Sequence, residues 1–195
     1  DVIFLFTSDI CGEAKRLPRH ARAWGDLATL HQKVRDERKR ALSAFRAEVA
    51  SGAIDTVIVA FTDMQGRLQG KRLHAAYFLD VVLEHGTEGC NYLLGVDVDM
   101  NTVDGYAITS WERGYGDMEF VPDLGTLRRL THLPATAMVQ SDLVWPDHSP
   151  VLQSPRGILG RQVERAAELG YTALAGTELE FIVYEDTYEE AHDLG

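Results

Sequence analysis

The sequence has few cysteines, no long hydrophobic run and little positive charge beyond its first quarter. Only Cys11 and Cys90 occur, in no CxxC pair, which argues against a disulfide scaffold or a sulfur-ligated metal site. No uninterrupted apolar run approaches the roughly 20 residues that a membrane-spanning helix needs. The first residues also lack the basic segment and cleavage site of a signal peptide. Together these absences predict a reduced, cytoplasmic protein.

The overall composition is that of an ordinary globular protein. The chain has 195 residues, of which 45% are hydrophobic and 25% charged. This balance excludes disordered and collagen-like proteins. Because the sequence begins with Asp1 rather than with methionine, we expect it to be a fragment of a longer chain.

The net charge of −11 is spread unevenly along the chain. Residues 1–46 carry ten basic and six acidic side chains, whereas the remainder carries nine basic and 24 acidic ones. The basic part has few interleaved aromatic residues, so it is interpreted as a solvated helix face rather than as a nucleic-acid arm. The acidic remainder disfavours nucleic acid as a partner and favours a site that requires cations.

The order of predicted elements indicates an α+β fold. β-Branched residues at 54–62, a turn at Asp63–Gly66 and a returning strand at 67–73 predict a hairpin. A helix is predicted from Leu27 to Val49, and another opens at Ser154 and Pro155 and ends at Gly170. The further predictions are a helix at 75–84, a long loop at 101–117, and strands at 1–8, 90–97, 118–121, 136–145, 171–175 and 178–185.

An apparent calcium-binding motif begins at Asp97 but is incomplete. The acidic start at 97–101 resembles an EF-hand loop, yet Thr102 occupies the position that needs glycine. Ile108 occupies the position that needs a bidentate glutamate. We therefore predict a turn rather than a calcium site.

Two acidic residues near the end of the chain, Glu178 and Glu180, form the most informative pair. On a strand their side chains project from the same face, roughly 6 to 7 Å apart. Carboxylates at that separation suit a pair of hard divalent cations such as Mg²⁺ or Mn²⁺. The alternative is a strand with one solvated face, and the pattern alone does not exclude it.

Four segments, taken in order, resemble the glutamine synthetase family over about residues 40–190. The hairpin at 61–72 resembles the family's N-terminal signature, and Ser154-Pro155-Arg156 resembles the segment that opens a helix of the catalytic domain. The other two are 103–105 with 116–123, similar to the Asp-Gly-Ser-Ser to Pro-Asp region, and 176–181, similar to the Gly-Pro-Glu-x-Glu-Phe motif.

The resemblance implies a domain organisation and an assembly. It implies a β-grasp-like N-terminal domain over residues 34–135, followed by the truncated start of a catalytic domain over 136–195. Residues 1–33 match nothing in the family and stay unassigned. In the family, subunits form homo-oligomeric rings with active sites at their interfaces, so the same assembly is expected here.

The resemblance also implies ATP-dependent ligation of ammonia or a small amine to the γ-carboxylate of glutamate, through γ-glutamyl phosphate. Glu178 would ligate the Mg²⁺ or Mn²⁺ beside the phosphates of ATP, and Glu180 the ion beside glutamate. Asp104 would bind the ammonium ion and accept its proton. Family chains are more than twice as long, so we expect this chain to be inactive by itself.

The sequence departs from the family after Asp104-Gly105, where Tyr106-Ala107 replaces the usual Ser-Ser. This loop also contains the aromatic residues Tyr106, Trp111 and Tyr115. They suit a site for an organic amine such as a polyamine or ethanolamine; the alternative is that they pack under the loop. A further alternative is a non-catalytic paralogue used in assembly or regulation. An independent β-grasp interaction module is disfavoured by the paired glutamates.

Overall fold

A computed structural model of the chain describes residues 2–5, 40–109, 114, 116–178, 180, 183 and 185–194. The chain divides into two compact units, one formed by Ala21–Gln162 and the other by Asp1–His20 with Val163–Gly195. Most of the unassigned segment 1–33 and the first part of the helix predicted from Leu27 lie outside the described residues. No helix in the described ranges is long and apolar enough to cross a membrane.

The described residues form the following strands and helices. The strands are β1 (Val2–Leu5), β2 (Thr56–Thr62), β3 (Leu68–His74), β4 (Thr87–Cys90), β5 (Asp117–Arg129), β6 (Thr136–Val144) and β7 (Thr172–Ala175). The helices are α1 (residues 40–50), α2 (residues 75–85, with a π-helical centre at Phe78–Val82), a 3₁₀ helix (Asn91–Leu94), α3 (Pro155–Glu168) and α4 (Tyr188–Leu194).

The larger unit is built on a five-stranded mixed sheet. Its strand order is β3-β2-β6-β5-β4, in which β2 and β6 are parallel and the other neighbours antiparallel. The central strand β6 pairs with β2 from Thr56↔Thr136 to Ala60↔Gln140. The predicted domain boundary at 135/136 therefore falls immediately before β6, although β6 belongs to the same sheet as the strands that precede the boundary.

One face of the sheet carries the hydrophobic core. Alternate residues of β2 are buried because successive side chains of a strand point to opposite faces. Phe61 of β2 and Phe120 of β5 pack with ring centroids 5.0 Å apart. Phe45 of α1 meets Phe78 of α2 edge to face at 6.1 Å, so both helices contribute to this core.

The β2–β3 hairpin is the predicted one, and two glycines make it possible. Gly66 closes its turn with a φ of +80°, a conformation that other L-residues adopt only at a cost. Gly70 lies opposite Ala60, and a Cβ there would be 2.0 Å from the carbonyl oxygen of Val59. The backbones therefore approach closely only because residue 70 has no side chain.

Two strand predictions in the larger unit are corrected. Residues 90–97, predicted as a strand, form the end of β4, a 3₁₀ helix and an isolated bridge between Val96 and Thr102. The reason is that buried Leu94 and Val96 anchor a tight turn instead of an extended ladder. The strand predicted at 118–121 continues to Arg129, through an irregularity between Asp123 and Arg128.

The smaller unit contains a two-stranded parallel sheet of β1 and β7, with Val2 opposite Thr172 and Leu5 opposite Ala175. All of β7 is exposed. The strand predicted at 178–185 is wrong for the described residues of that range, to which no strand is assigned. Three large apolar residues of α3, Ile158, Leu159 and Val163, are exposed as well.

Candidate functional site

The turn of the β2–β3 hairpin is organised around the carboxylate of Asp63, which is buried. Its Oδ1 accepts hydrogen bonds from the backbone N–H groups of Gln65 and Arg67, both at 2.9 Å. Its Oδ2 accepts from Arg67 Nε at 2.9 Å and from Gln69 Nε2 at 3.0 Å. Burial raises the pKa of Asp63, but the hydrogen bonds from Gln69, Arg67 and Gln65 together outweigh it and hold the pKa below 3.8.

The same turn is tied to the segment that precedes Asp104. Arg67 donates from its guanidinium to the carbonyl oxygens of Asp97 and Val98. Gln65 Nε2 donates to the carbonyl oxygen of Val96 at 2.7 Å. One family-like region, the hairpin at 61–72, is therefore joined by side-chain to backbone hydrogen bonds to the segment just before the next such region, although about 30 residues separate the partners.

The loop at 97–101 forms the predicted turn. Asp97 Oδ1 accepts from the backbone N–H groups of Asp99 at 2.9 Å and Asn101 at 2.8 Å. These bonds, that of Asn101 first, hold the pKa of Asp97 below 3.8. The carboxylate is thus already engaged by its own backbone.

Asp104 lies in an exposed turn directly after this loop. The backbone N–H of Val103 donates to the carbonyl oxygen of Gly95 at 3.0 Å, immediately before Asp104. Gly105 follows with a φ of +90°. An exposed carboxylate on a turn whose preceding residue is fixed can meet a cationic amine from outside this unit.

Arg156, in the family-like segment at 154–156, connects that segment to Asp123 of the family-like segment at 116–123. Its guanidinium forms an ion pair with Asp123 and donates to Asp142 Oδ1 at 2.8 Å and Gln140 Oε1 at 3.1 Å. The start of α3 is thereby attached to β5 and β6. Sequence reasoning identified Asp123 and Arg156 as motif residues but missed their contact, since nothing in the spacing indicates it.

Glu178 and Glu180 are both exposed and lie in the smaller unit, three and five residues after β7 ends. The described ranges contain no group of three or more His, Cys, Asp or Glu residues that could hold a metal ion. The two glutamates supply the hard oxygen ligands that Mg²⁺ prefers, but at most as part of a ligand set. Leu179 and Phe181 of this motif lie outside the described residues.

The sheet face opposite the core carries a groove that the sequence did not predict. It has a volume of about 490 Å³ and a partly apolar floor that includes Ile58 and Met138. Four of the residues that line it are basic, although the chain as a whole is acidic: Lys71, Arg72, Arg128 and His132. The alternation of side chains along β2 predicts a sheet with two different faces, but the sequence does not show which of the two faces the helices cover.

Comparison with known proteins places these segments in a family. No known protein-family model matches the chain. The gamma-glutamylethanolamide synthetase GlnA4 of Streptomyces coelicolor is 67% identical over 147 residues, which cover 75% of this chain and 32% of that protein. The glutamate–isopropylamine ligase of a Pseudomonas species is 35% identical over 152 residues, or 78% of this chain and 33% of that protein.

The resemblance to the glutamine synthetase family is confirmed. The chain corresponds to the N-terminal part of family members and spans about a third of the length of these curated relatives. A glutamine synthetase of Thermotoga maritima is 31% identical over 126 residues, or 63% of this chain and 26% of that protein. The crystal structure of a glutamine synthase homologue has a TM-score of 0.52 at 23% identity, covering 60% of this chain and 27% of that one. This likeness concerns the fold, a mixed α/β arrangement.

Proposed function

We propose that the whole protein joins an amine to the γ-carboxylate of glutamate, using ATP and passing through γ-glutamyl phosphate. The observation that carries this proposal is the 67% identity to a gamma-glutamylethanolamide synthetase over three quarters of the chain. Since a glutamate–isopropylamine ligase is also related, we propose an organic amine, ethanolamine first, rather than ammonia.

Residues next to Asp104 support an organic amine. Tyr106 replaces the family's serine and is 47% exposed, so its ring is available to an alkyl chain. A Cβ on Gly95 would be 3.8 Å from Tyr106 Cδ2, so the ring lies beside a position without a side chain. Trp111 and Tyr115 lie outside the described residues.

In this proposal the side chains of the chain have separate roles. Asp104 attracts the protonated amine and accepts its proton as the amine attacks, because a carboxylate is anionic and its oxygens can take up a proton. Glu178 and Glu180 hold part of the Mg²⁺ or Mn²⁺ ligand set, with further ligands from outside the described residues. When bound, those ions neutralise charge on the transferring phosphoryl group.

The architecture supports a β-grasp-like N-terminal domain as part of the same proposal. Two hairpin-like pairs, β2–β3 and β5–β6, flank a parallel central contact between β2 and β6, and α2 follows β3 on the core side. We propose that residues 136–195 form the start of the catalytic domain and that their first strand, β6, completes the sheet of the N-terminal domain.

We propose that the exposed surfaces are covered in a homo-oligomeric, cytoplasmic enzyme. The apolar side of α3, with Leu159 62% exposed, would pack against the remaining catalytic domain. The basic groove beside β3 would face a neighbouring subunit. The two-stranded sheet of β1 and β7, with the exposed helix α3, buries too little surface to be stable by itself.

The experiment uses the complete protein that contains this chain, with ATP, Mg²⁺ and glutamate. Phosphate release and the γ-glutamyl product are measured with ethanolamine, isopropylamine, putrescine and ammonia. We expect amine-dependent turnover, fastest with ethanolamine. Preference for ammonia would overturn the amine assignment, and the absence of glutamate-dependent phosphate release with every amine would favour the non-catalytic paralogue.

Substitutions test the assigned residues. Asp104→Asn should lower kcat/KM for the amine by roughly 10²- to 10⁴-fold, the usual contribution of a general base. Asp99→Asn removes a similar exposed charge from the neighbouring loop and should have little effect. Glu178→Gln and Glu180→Gln should raise the Mg²⁺ concentration needed for half-maximal activity, whereas Glu189→Gln on exposed α4 should not.

A further inference from the structure

The short segment at 91–95 holds the Asp104 turn from both sides. The carbonyl oxygen of Gly95 accepts from Val103 N–H at 3.0 Å, directly before the turn. Asn91 Nδ2 donates to the carbonyl oxygen of Ile108 at 3.1 Å, four residues after Asp104. Residues 104–107 are therefore held between two anchors that belong to one 3₁₀ helix and its C-terminal residue.

Asn91 also holds the far end of the loop. Its backbone N–H donates to the carbonyl oxygen of Gly116 at 2.9 Å, and its Oδ1 accepts from Gly116 N–H at 3.3 Å. Asn91 is only 6% exposed, and Leu94 at the other end of the same 3₁₀ helix is buried in the core, so the core holds this helix in place. A single amide side chain thus connects Ile108 with Gly116.

The chemistry of this position requires asparagine. One side-chain atom must donate to a carbonyl oxygen while the other accepts from an N–H, and a primary amide is a side chain that does both. Aspartate matches the shape but has no donor for Ile108, and leucine matches the volume but has neither group. Asn91 itself is buried and its bonds to Ile108 and Gly116 are part-buried, so leaving a polar group unpaired there is costly.

We propose that Asn91 is a positioning residue that fixes the loop carrying Asp104 toward the amine. This inference rests on the proposed function, since it assigns Asn91 to the amine step of that reaction. Asn91 acts through the backbone at residues 108 and 116 and touches no reacting atom. A small displacement of a catalytic group is enough to lower the rate by orders of magnitude.

The test compares Asn91→Leu and Asn91→Asp with the wild type in the complete protein. We expect kcat/KM for ethanolamine to fall roughly 10- to 100-fold, since a displacement of about 1 Å can cost 10²-fold. KM for ATP and for glutamate should stay within about twofold of the wild-type values, because the substitution does not touch the residues that bind those substrates. A purely structural defect would instead lower the fraction of active protein, and with it the rate with every substrate, without a selective fall in kcat/KM for ethanolamine.

Thr109→Val is the matched control. Thr109 lies in the same loop, is 2% exposed, and has a hydroxyl for which the described residues supply no hydrogen-bond partner. Replacing that hydroxyl by a methyl group removes a buried polar group without breaking a bond. We therefore expect wild-type amine kinetics from this variant.

Hydrogen exchange supplies a readout that does not depend on activity. Peptides covering residues 104–109 should exchange faster in both Asn91 variants, with unchanged exchange in β2 and β6. Wild-type amine kinetics in a folded Asn91→Leu protein would overturn the inference. If the wild type itself shows no amine-dependent phosphate release, the proposed function fails instead, and unchanged exchange at 104–109 would then also refute the anchoring role.

Discussion

Replacing Asp63 by asparagine should loosen the hairpin and the loop before Asp104 together. Asparagine retains an oxygen for the N–H groups of Gln65 and Arg67 but presents an NH₂ group to Arg67 Nε and Gln69 Nε2, which are also donors. Two hydrogen bonds to a charged group are lost, each contributing about 1.5 to 3 kcal/mol. The side chain of Arg67 is 32% exposed, so water offsets part of the hydrogen-bond energy that Arg67 loses.

The expected cost is therefore about 2 to 3 kcal/mol, or a roughly 30- to 150-fold increase in local opening. Hydrogen exchange with mass spectrometry on the complete protein measures this opening in peptides covering 56–74 and 96–103. Asp99→Asn, which removes an exposed charge nearby, is the control. An increase no larger than that of the control would show that Asp63 does not organise the two segments.

The same substitution has a consequence for pH dependence. Because the folded-state pKa of Asp63 lies below its ordinary value of 3.8, its stabilisation is complete above that value and is lost as pH falls through the lower folded pKa. Acid unfolding followed by circular dichroism should thus be less steep below about pH 4 in Asp63→Asn than in the wild type. Identical slopes would contradict the assignment.

Two further substitutions test backbone and ion-pair features. Gly66→Ala should destabilise the hairpin by about 1 to 2 kcal/mol because residue 66 has a positive φ. Gly160→Ala in α3, where a Cβ also meets open space, should instead stabilise the protein. Thermal unfolding compares the two variants, and equal effects would refute this conformational reasoning. Arg156→Lys keeps the charge but cannot span Asp123 and Asp142 with one planar group, so exchange at the start of α3 should rise several-fold, more than in Arg161→Lys.

The elements that depend on local patterns could be predicted from the sequence. The β2–β3 hairpin followed from β-branched residues before a turn that ends at Gly66, where the backbone favours glycine, and from a returning segment after that turn. Likewise, Ser154 and Pro155 predicted the start of α3, because capping chemistry is local to the helix end.

Contacts set by the topology of the sheet could not be predicted. Residues 90–97 are apolar enough for a strand, but the bonds of Asn91 to Ile108 and Gly116 favour a tight turn. The pairing of Asp123 with Arg156 depends on the adjacency of β5 and β6, which the spacing of these residues does not reveal. Glu178 and Glu180 were selected by their spacing on a predicted strand and Asp104 by resemblance, and the roles of all three stay predictions.

The parallel contact between β2 and β6 affects how the protein is made. Residues 63–135 separate these two neighbours, so β2 has no central partner on that side until the ribosome has synthesised the chain beyond Val144. Until then the nascent hairpin has an unpaired edge and an uncovered apolar surface, which makes it a target for chaperones. Slow closure of the sheet is thus expected to set the pace of folding for this part of the protein.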